Sequence, residues 1–294
     1  MTRAVATARS RAADLFQLTK PGVVLMVLLT TAAGFYLGSA SDIDALAVYH
    51  TLIGTALAAA GALALNQFLE RDLDARMART RNRPLADGRL DPSRALGFGA
   101  LTTAAGPLYL IVTVNALSGL LTSVTILSYL FIYTPLKQRT PLCSVVGAVP
   151  GALPPLVGMA GARGELGADS WVLFAILFLW QIPHSLAVAR LYRDDYARAD
   201  VCFLPVVDRD GKKTGAHAVA SCVALLVVAL LPTVVGLAGR LYFLGSLTLG
   251  LGFLGCSVAL AFRQRPVDAN RLLFASLLYL PVLLALMAFD KGPM

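Results

Sequence analysis

The sequence predicts an all-α protein that crosses a membrane nine times, and three observations carry that expectation. Hydrophobic residues make up 57% of the 294 and charged residues only 14%, where a soluble domain carries about a quarter charged residues. The mean hydropathy is +0.71. The apolar residues fall into blocks of about 20, the length that carries a helix across a hydrocarbon core of roughly 30 Å. Helices are required because lipid offers no partner for open backbone groups.

In order, the blocks run at about residues 21–39, 46–66, 95–115, 117–135, 142–162, 170–189, 216–237, 241–262 and 270–289. The third and fourth are joined tightly at Asn115–Ser118. Pro107, Pro154, Pro155, Pro183, Pro232 and Pro281 fall inside blocks. Membrane helices accept proline where neighbouring groups re-satisfy the freed carbonyls. Residues 1–294 read as one integral-membrane domain, with residues 1–17 as a basic tail.

Charge sets the expected orientation. Arg3, Arg9, Arg11 and Lys20 precede the first block, and Arg71, Arg76, Arg79, Arg81, Arg83, Arg89 and Arg94 follow the second. Lys137 and Arg139 follow the fourth, Arg190, Arg193, Arg198, Arg209, Lys212 and Lys213 the sixth, and Arg263, Arg265 and Arg271 the eighth. Those are 22 of the 25 Lys and Arg; only Arg163, Arg240 and Lys291 fall on the other side. Basic loops stay in the cytoplasm, so the N-terminus is expected inside and the C-terminus outside an inner or plasma membrane. The net charge of +8 is thereby a topology signal. No nucleic-acid partner is expected, since the basic loops hug membrane segments and also hold many acids.

The N-terminus has a basic start, an apolar run and the small-residue stretch Ser39-Ala40-Ser41. The run exceeds the 7–15 residues of a cleaved leader and reads as a span. Cys143, Cys202, Cys222 and Cys256 include no C-x-x-C pair, and they read as small hydrophobes rather than a disulfide or zinc framework. His50 and His217 stand near block ends and read as interfacial.

Polar chemistry concentrates after the second and sixth blocks. Asn66, Glu70 and Asp74 are spaced i, i+4, i+8, and share one face if the helix continues. Three oxygen-bearing side chains on one face suit a hard cation such as Mg²⁺, which bridges one or two carboxylates to substrate phosphates. Arginines downstream, Arg79 and Arg83 among them, would neutralise a diphosphate. The spacing equally fits a solvated helix end with surface pairs. The second cluster runs from Trp180-Gln181-Ile182-Pro183-His184 to Arg193-Asp194-Asp195-Tyr196. His184 lies about two turns inside the helix end, and an ionisable residue at depth is a functional candidate, though a hydrogen-bonded core histidine fits as well. Tyr133 and Lys137 (i, i+4) both reach toward the same end; an aromatic anchor with a snorkelling lysine is the structural alternative.

At these residues the chain resembles the UbiA superfamily of intramembrane prenyltransferases, and within it the haem-modifying branch. The superfamily signature, Asn-x-x-x-Asp-x-x-x-Asp followed by Arg-Thr-x-Asn-Arg-Pro, reads here Asn66, Glu70, Asp74, then Arg79-Thr80-Arg81-Asn82-Arg83-Pro84. Glu70 in the middle and Trp180-Gln181-Ile182-Pro183-His184 match the haem branch. Leu18-Thr19-Lys20-Pro21, Gly151 to Gly158, Asp195-Tyr196, Leu204 to Val207 and Leu273-Phe274 to Asp290 extend the resemblance over residues 18–290. Gly22, Ser185, Asp200 and Cys202-Phe203 depart from the branch pattern, which has Arg, Phe, Gly and Pro-Met there.

The resemblance implies nine helices around a central cavity open to the cytoplasm and laterally to lipid. It implies transfer of a farnesyl group from farnesyl diphosphate to the 2-vinyl group of haem B, with Mg²⁺ as cofactor. Carried over by position, Asn66, Glu70 and Asp74 are expected to hold Mg²⁺, and Asp194 and Asp195 a second one. Arg79, Arg83, Tyr133 and Lys137 are expected to clamp the diphosphate, and His184, Asp195 and Tyr196 to meet substrate; Lys137 and His184 join the motif residues as catalytic candidates. His184 is left to orient water, ligate the haem iron or contact a propionate. Membrane lipid surrounds the chain, and a haem A synthase or terminal oxidase assembly would take the product. The alternatives are a related enzyme with another acceptor (an aromatic acid, a quinone precursor or a chlorophyllide) and a membrane transporter. Transport sites lie near the midplane on broken helices, whereas the charges here lie at helix ends.

Overall fold

The structure, a computed structural model, describes residues 11–40 and 42–292. Arg3, Arg9, Ser41 and Met294 lie outside the described residues. Within them there is no strand, and a single isolated bridge pairs Ala238 with Lys291. Among the described residues nine helices are long and apolar enough to cross a membrane: α1 Pro21–Gly38, α2 Ala45–Leu69, α3 Pro92–Thr113, α4 Ala116–Leu136, α5 Cys143–Arg163, α6 Ala168–Leu191, α7 Lys212–Val234, α8 Arg240–Arg263 and α9 Pro266–Phe289. They coincide with the nine expected blocks, and the chain is a multi-pass membrane protein.

The ends of these helices follow from local chemistry. Asp44 caps α2 by accepting from the Leu46 and Ala47 N–H groups. Asp91 does the same for Ser93 and Arg94 at the start of α3, with Pro92 at the first helical position, where its absent N–H costs nothing. The tight α3–α4 joint works because Asn115 caps α4 at Ser118 N (2.8 Å) while its own side-chain amide donates to Ala160 O on α5. α4 widens into a π-helical stretch, Ser128–Tyr133. α5 runs in two halves meeting at Leu153, with Pro154 and Pro155 opening the second.

Lipid supplies no hydrophobic drive between helices, so close backbone approach over small residues holds them together. A methyl group at Gly34 would overlap the Pro155 backbone, and one at Gly158 the Thr31 carbonyl; α1 and α5 therefore touch main chain to main chain. α2 and α3 meet similarly where Gly106 faces Ala58. α5 is the most enclosed span, with α1, α2, α4 and α6 packed on it. α6 also packs on α7 and α9, α7 and α9 flank α8, and α9 returns to α1. At one end of the bundle Lys291 clasps this return, donating to Tyr36 O (2.7 Å) and Ser39 O (2.6 Å) at the end of α1.

The described part of the basic tail leads into a helix, Arg11–Leu18, laid against the bundle. Leu18 is fully buried with Ala64, Leu85, Leu90 and Ala95. Buried Asp14 pairs with Arg89 at 2.8 Å. Leu18 O accepts from Gln67 Nε2 at 2.6 Å, which fixes the entry into α1 against the end of α2.

Candidate active site

The site is built where α2 ends. The helix breaks at Glu70, whose ψ of 11° leaves the helical range, and a short helix follows over Arg71–Arg76. The i→i+4 bonds nevertheless continue, Glu70 N to Asn66 O and Asp74 N to Glu70 O (2.9 and 2.8 Å). Asn66, Glu70 and Asp74 therefore keep one face, as the spacing predicts. All three are inside the protein, 1%, 9% and 2% exposed. A wet, solvated helix end is excluded for them.

Each of the three oxygens meets a cation brought from a different element. Lys20, at the entry to α1, donates to Asn66 Oδ1 at 3.4 Å. Lys137, just past α4, donates to Glu70 Oε1 at 2.7 Å. Arg83, in the α2–α3 loop, contacts both Asp74 oxygens, at 2.9 and 2.7 Å. Asn66 also donates to Thr134 Oγ1 (3.2 Å), which itself donates to Tyr129 O. That last bond spans five residues, so the π-helical widening of α4 is what turns Thr134 toward Asn66.

Tyr133 lies under Lys137, its ring centroid 4.6 Å from Nζ, a cation–π contact. Its ring rests on Gly147 of α5, and one turn deeper the Gln181 amide of α6 rests on Gly151; a methyl at either glycine would overlap these side chains. The buried Gln181 Oε1 has no hydrogen-bond partner.

The α6–α7 loop closes over the α2–α3 loop. The Ala78 N–H donates to Asp195 at 3.2 Å, and Asp195 also pairs with Arg198. Arg79 lies over the Tyr192 ring at 5.0 Å and donates to the Tyr196 hydroxyl at 3.3 Å. Arg76 pairs with Asp200 at 3.1 Å. Asp200 has φ 55°, a left-handed conformation that glycine adopts freely and Asp tolerates better than most residues. The glycine that the resemblance leads one to expect at this position would adopt it freely, and Asp200 is accommodated. A further departure, Cys202, donates its N–H to Lys137 O at 2.7 Å, so the second loop holds the lysine in place.

Burial shapes the titration of these groups. It works against the Lys137 charge, but Glu70 and the adjacent Tyr129 outweigh it and hold the ammonium above the usual lysine value. Burial pushes the Tyr196 hydroxyl up. Lys20 has no such rescue: burial, then the charges of Arg83 and Lys137, push it down to about 7.

The structure thus brings together Asn66, Glu70, Asp74, Arg83, Tyr133 and Lys137, with Asp195 and Tyr196 in the loop that covers them and Arg79 of the covered loop held against it. Asp194 does not join them. It is exposed while Asp195 is buried, because consecutive helical residues point about 100° apart. The two carboxylates diverge, and a second Mg²⁺ between them is not what this geometry offers. Among the described residues no three His, Cys, Asp or Glu side chains converge; the donor set is one amide and two carboxylates.

His184 sits apart, on the α6–α9 contact. Nδ1 is 2.8 Å from Ser276 Oγ, whose hydroxyl donates to Leu273 O. The serine proton being used, Nδ1 carries the ring proton and Nε2 keeps the lone pair. Trp180 stacks on the imidazole at 5.0 Å and donates to Ser276 O. Sequence reasoning overlooked Lys20 as a site residue and Ser276 as the histidine's anchor. The signal for Lys20 was its place directly before Pro21; nothing in the sequence pointed to Ser276, 92 residues from its partner.

Residues 27–278 match the UbiA prenyltransferase family. A relative from Solibacter usitatus, described as "Protoheme IX farnesyltransferase", is 46% identical over 287 residues, covering 95% of this chain and 98% of its own. In fold, the chain is similar to a digeranylgeranylglyceryl phosphate synthase at 15% identity, with a TM-score of 0.81 over 95% of this chain and 98% of that one. It is also similar to a UbiA homologue from Archaeoglobus fulgidus solved with GPP and Mg²⁺, again at 15% identity, with a TM-score of 0.67 over 94% and 99%. With the family match spanning most of the sequence and a near half-identical relative running its whole length, this chain belongs to the UbiA prenyltransferase family.

Proposed function

We propose that this chain transfers a farnesyl group from farnesyl diphosphate to the 2-vinyl group of haem B, giving haem O. The observation that carries this reading is the end-to-end likeness to a relative named for farnesylating protohaem. The buried oxygens and cations alone would serve any prenyl diphosphate. They do fit that substrate's metal: Asn66, Glu70 and Asp74 offer hard oxygen donors, and two carboxylates with substrate phosphates are a usual Mg²⁺ environment. A homologue of the same fold was solved with GPP and Mg²⁺. When bound, Mg²⁺ stabilises the negative charge that gathers on the departing diphosphate.

The chain's own groups do the rest. The C1–O bond of the allylic diphosphate breaks with its electron pair passing to the diphosphate. Arg79, Arg83, Tyr133 and Lys137 stand where that charge develops, and fixed donors in a water-poor site stabilise it without reorganising. Glu70 keeps Lys137 charged, and Asp74 holds Arg83 in place. The helix bundle keeps water from the allylic cation until a vinyl carbon of haem bonds to C1. Water then adds to the resulting cation with loss of a proton, which leaves the hydroxyl group of the product. His184 presents Nε2 with its lone pair free, the atom by which an imidazole ligates iron or accepts a proton. Asp195 and Tyr196 hold the loop over the diphosphate end. The basic end faces the cytoplasmic side of an inner or plasma membrane, an orientation that the Lys and Arg distribution supports.

The test is purified chain with farnesyl diphosphate and Mg²⁺, with and without haem B. Release of inorganic diphosphate that needs haem B agrees with the proposal. Release that needs an aromatic acid instead, or none with any acceptor, contradicts it.

A further inference from the structure

Lys20, in the Leu18-Thr19-Lys20-Pro21 stretch, has the position of a ligand-binding residue. Its backbone lies at φ 49° and ψ 66°, a left-handed conformation rare for a long side chain, and it precedes Pro21, which narrows its choices further. Strain of this kind persists where the surroundings over-determine it, and it clusters at functional sites. The surroundings are identifiable. Gln67, 1% exposed, holds Leu18 O, and the Lys20 N–H donates to Gln17 O. The turn they fix folds the lysine inward to Asn66 rather than outward to solvent.

Lys137 has Glu70 and Arg83 has Asp74 at ion-pair distance, whereas among the described residues no carboxylate lies at ion-pair distance from Lys20. Its neighbouring charges are the cations Arg83 and Lys137, whose effect comes first, and the carboxylates Glu70 and Asp74, already engaged with those cations. The one ammonium hydrogen bond of Lys20 among the described residues, 3.4 Å to Asn66, is long, and an ammonium has three protons to give. A cavity of 420 Å³ opens beside it, lined by Gln17, Lys20, Gly22, Gln67 and Arg83. Gly22, where the branch pattern has Arg, leaves that cavity without a third cation, so Lys20 and Arg83 are the charges that line it.

We propose that Lys20 is a direct ligand of the substrate diphosphate, gripping it together with Arg83 and Lys137; this rests on the prenyl-transfer reading above. The anion supplies the counter-charge that Lys20 lacks, and the strained turn before α1 is what holds the amine at the mouth of the site.

The test is calorimetric binding of farnesyl S-thiolodiphosphate, an analogue that resists ionisation, to full-length protein with Mg²⁺ present. Lys20→Met keeps the apolar stem and removes the charge. We expect it to bind about tenfold or more weakly, as losing a charged hydrogen bond implies, while Lys20→Arg stays within about threefold of wild type. Equal affinity of Lys20→Met and wild type overturns the proposal. Absence of binding by wild type overturns the prenyl-transfer reading itself. Should Lys20→Met fold poorly, reductive methylation of wild-type protein followed by peptide mass analysis reads the same amine. Inorganic diphosphate with Mg²⁺ should protect Lys20 from methylation. No protection, or equal protection by phosphatidylglycerol vesicles without diphosphate, overturns the assignment.

Discussion

Arg83 Nη1 lies 2.9 and 2.7 Å from the two carboxylate oxygens of Asp74, and the carboxylate is almost wholly buried. Asp74 is therefore a structural residue of the α2–α3 loop as well as a candidate Mg²⁺ ligand. Asp74→Ala is expected to abolish product formation and also to destabilise. The loss should fall at the lower end of the roughly 3–5 kcal/mol for breaking a buried pair, because Arg83 keeps partial access to water. Asp74→Asn keeps the shape, and should lose turnover with a smaller drop in melting temperature. Turnover near wild type in either variant contradicts the metal–diphosphate assignment.

Packing of α1 on α5 makes a prediction independent of chemistry. Gly34→Ala places a methyl against the Pro155 main chain, which cannot give way as a side-chain tip can. Overpacking of this kind costs about 1–3 kcal/mol or more, so the yield of folded protein in detergent should fall sharply. Gly97→Ala, where nothing lies within 4 Å, should leave yield and melting temperature unchanged or slightly improved. Equal behaviour of the two variants contradicts the backbone contact.

His184 and Ser276 supply a third test. If Nε2 of His184 meets the haem iron, His184→Ala should weaken haem binding and shift the absorbance of bound haem. Ser276→Ala should give a milder spectral change, because it frees the ring to rotate without removing it. A general acid–base group contributes typically about 10²–10⁴-fold in rate. A loss under about tenfold in His184→Ala, with spectrum and product unchanged, removes the residue from the site.

Topology is testable with reporter fusions. A reporter fused after Arg83 or Lys212 should behave as cytoplasmic, and one after Arg163 as external, because 22 of 25 basic residues lie on one side. A cytoplasmic signal after Arg163 contradicts the orientation.

The spans were legible because each is a long apolar run, and length against membrane thickness leaves little freedom. The Asn66–Glu70–Asp74 face was legible because helical periodicity carries through the break at Glu70. The depth of that face was not. Asp74 reads as a wet loop residue until Arg83 and the returning loop at Ala78–Asp195 are seen to cover it. Asp194 and Asp195 look equivalent in sequence, and only the packing of their short helix separates them. Lys20 and Ser276 escaped for a common reason. Their roles depend on partners 46 and 92 residues away; the place of Lys20 before Pro21 marks a turn but not its partner, and nothing local marks Ser276.

The central claim is farnesylation of haem, and the most direct measurement is the mass of the haem itself. Pigment is extracted from membranes with and without the chain, supplied with farnesyl diphosphate, and each extract is analysed by mass spectrometry. With the chain and Mg²⁺, haem B should be converted to a species heavier by one farnesyl group and one hydroxyl; thorough chelation should stop the conversion, and Mn²⁺, a similar oxygen-seeking cation, should partly restore it. Haem B of unchanged mass alongside a prenylated aromatic or quinone precursor would contradict the account, as would conversion that survives chelation.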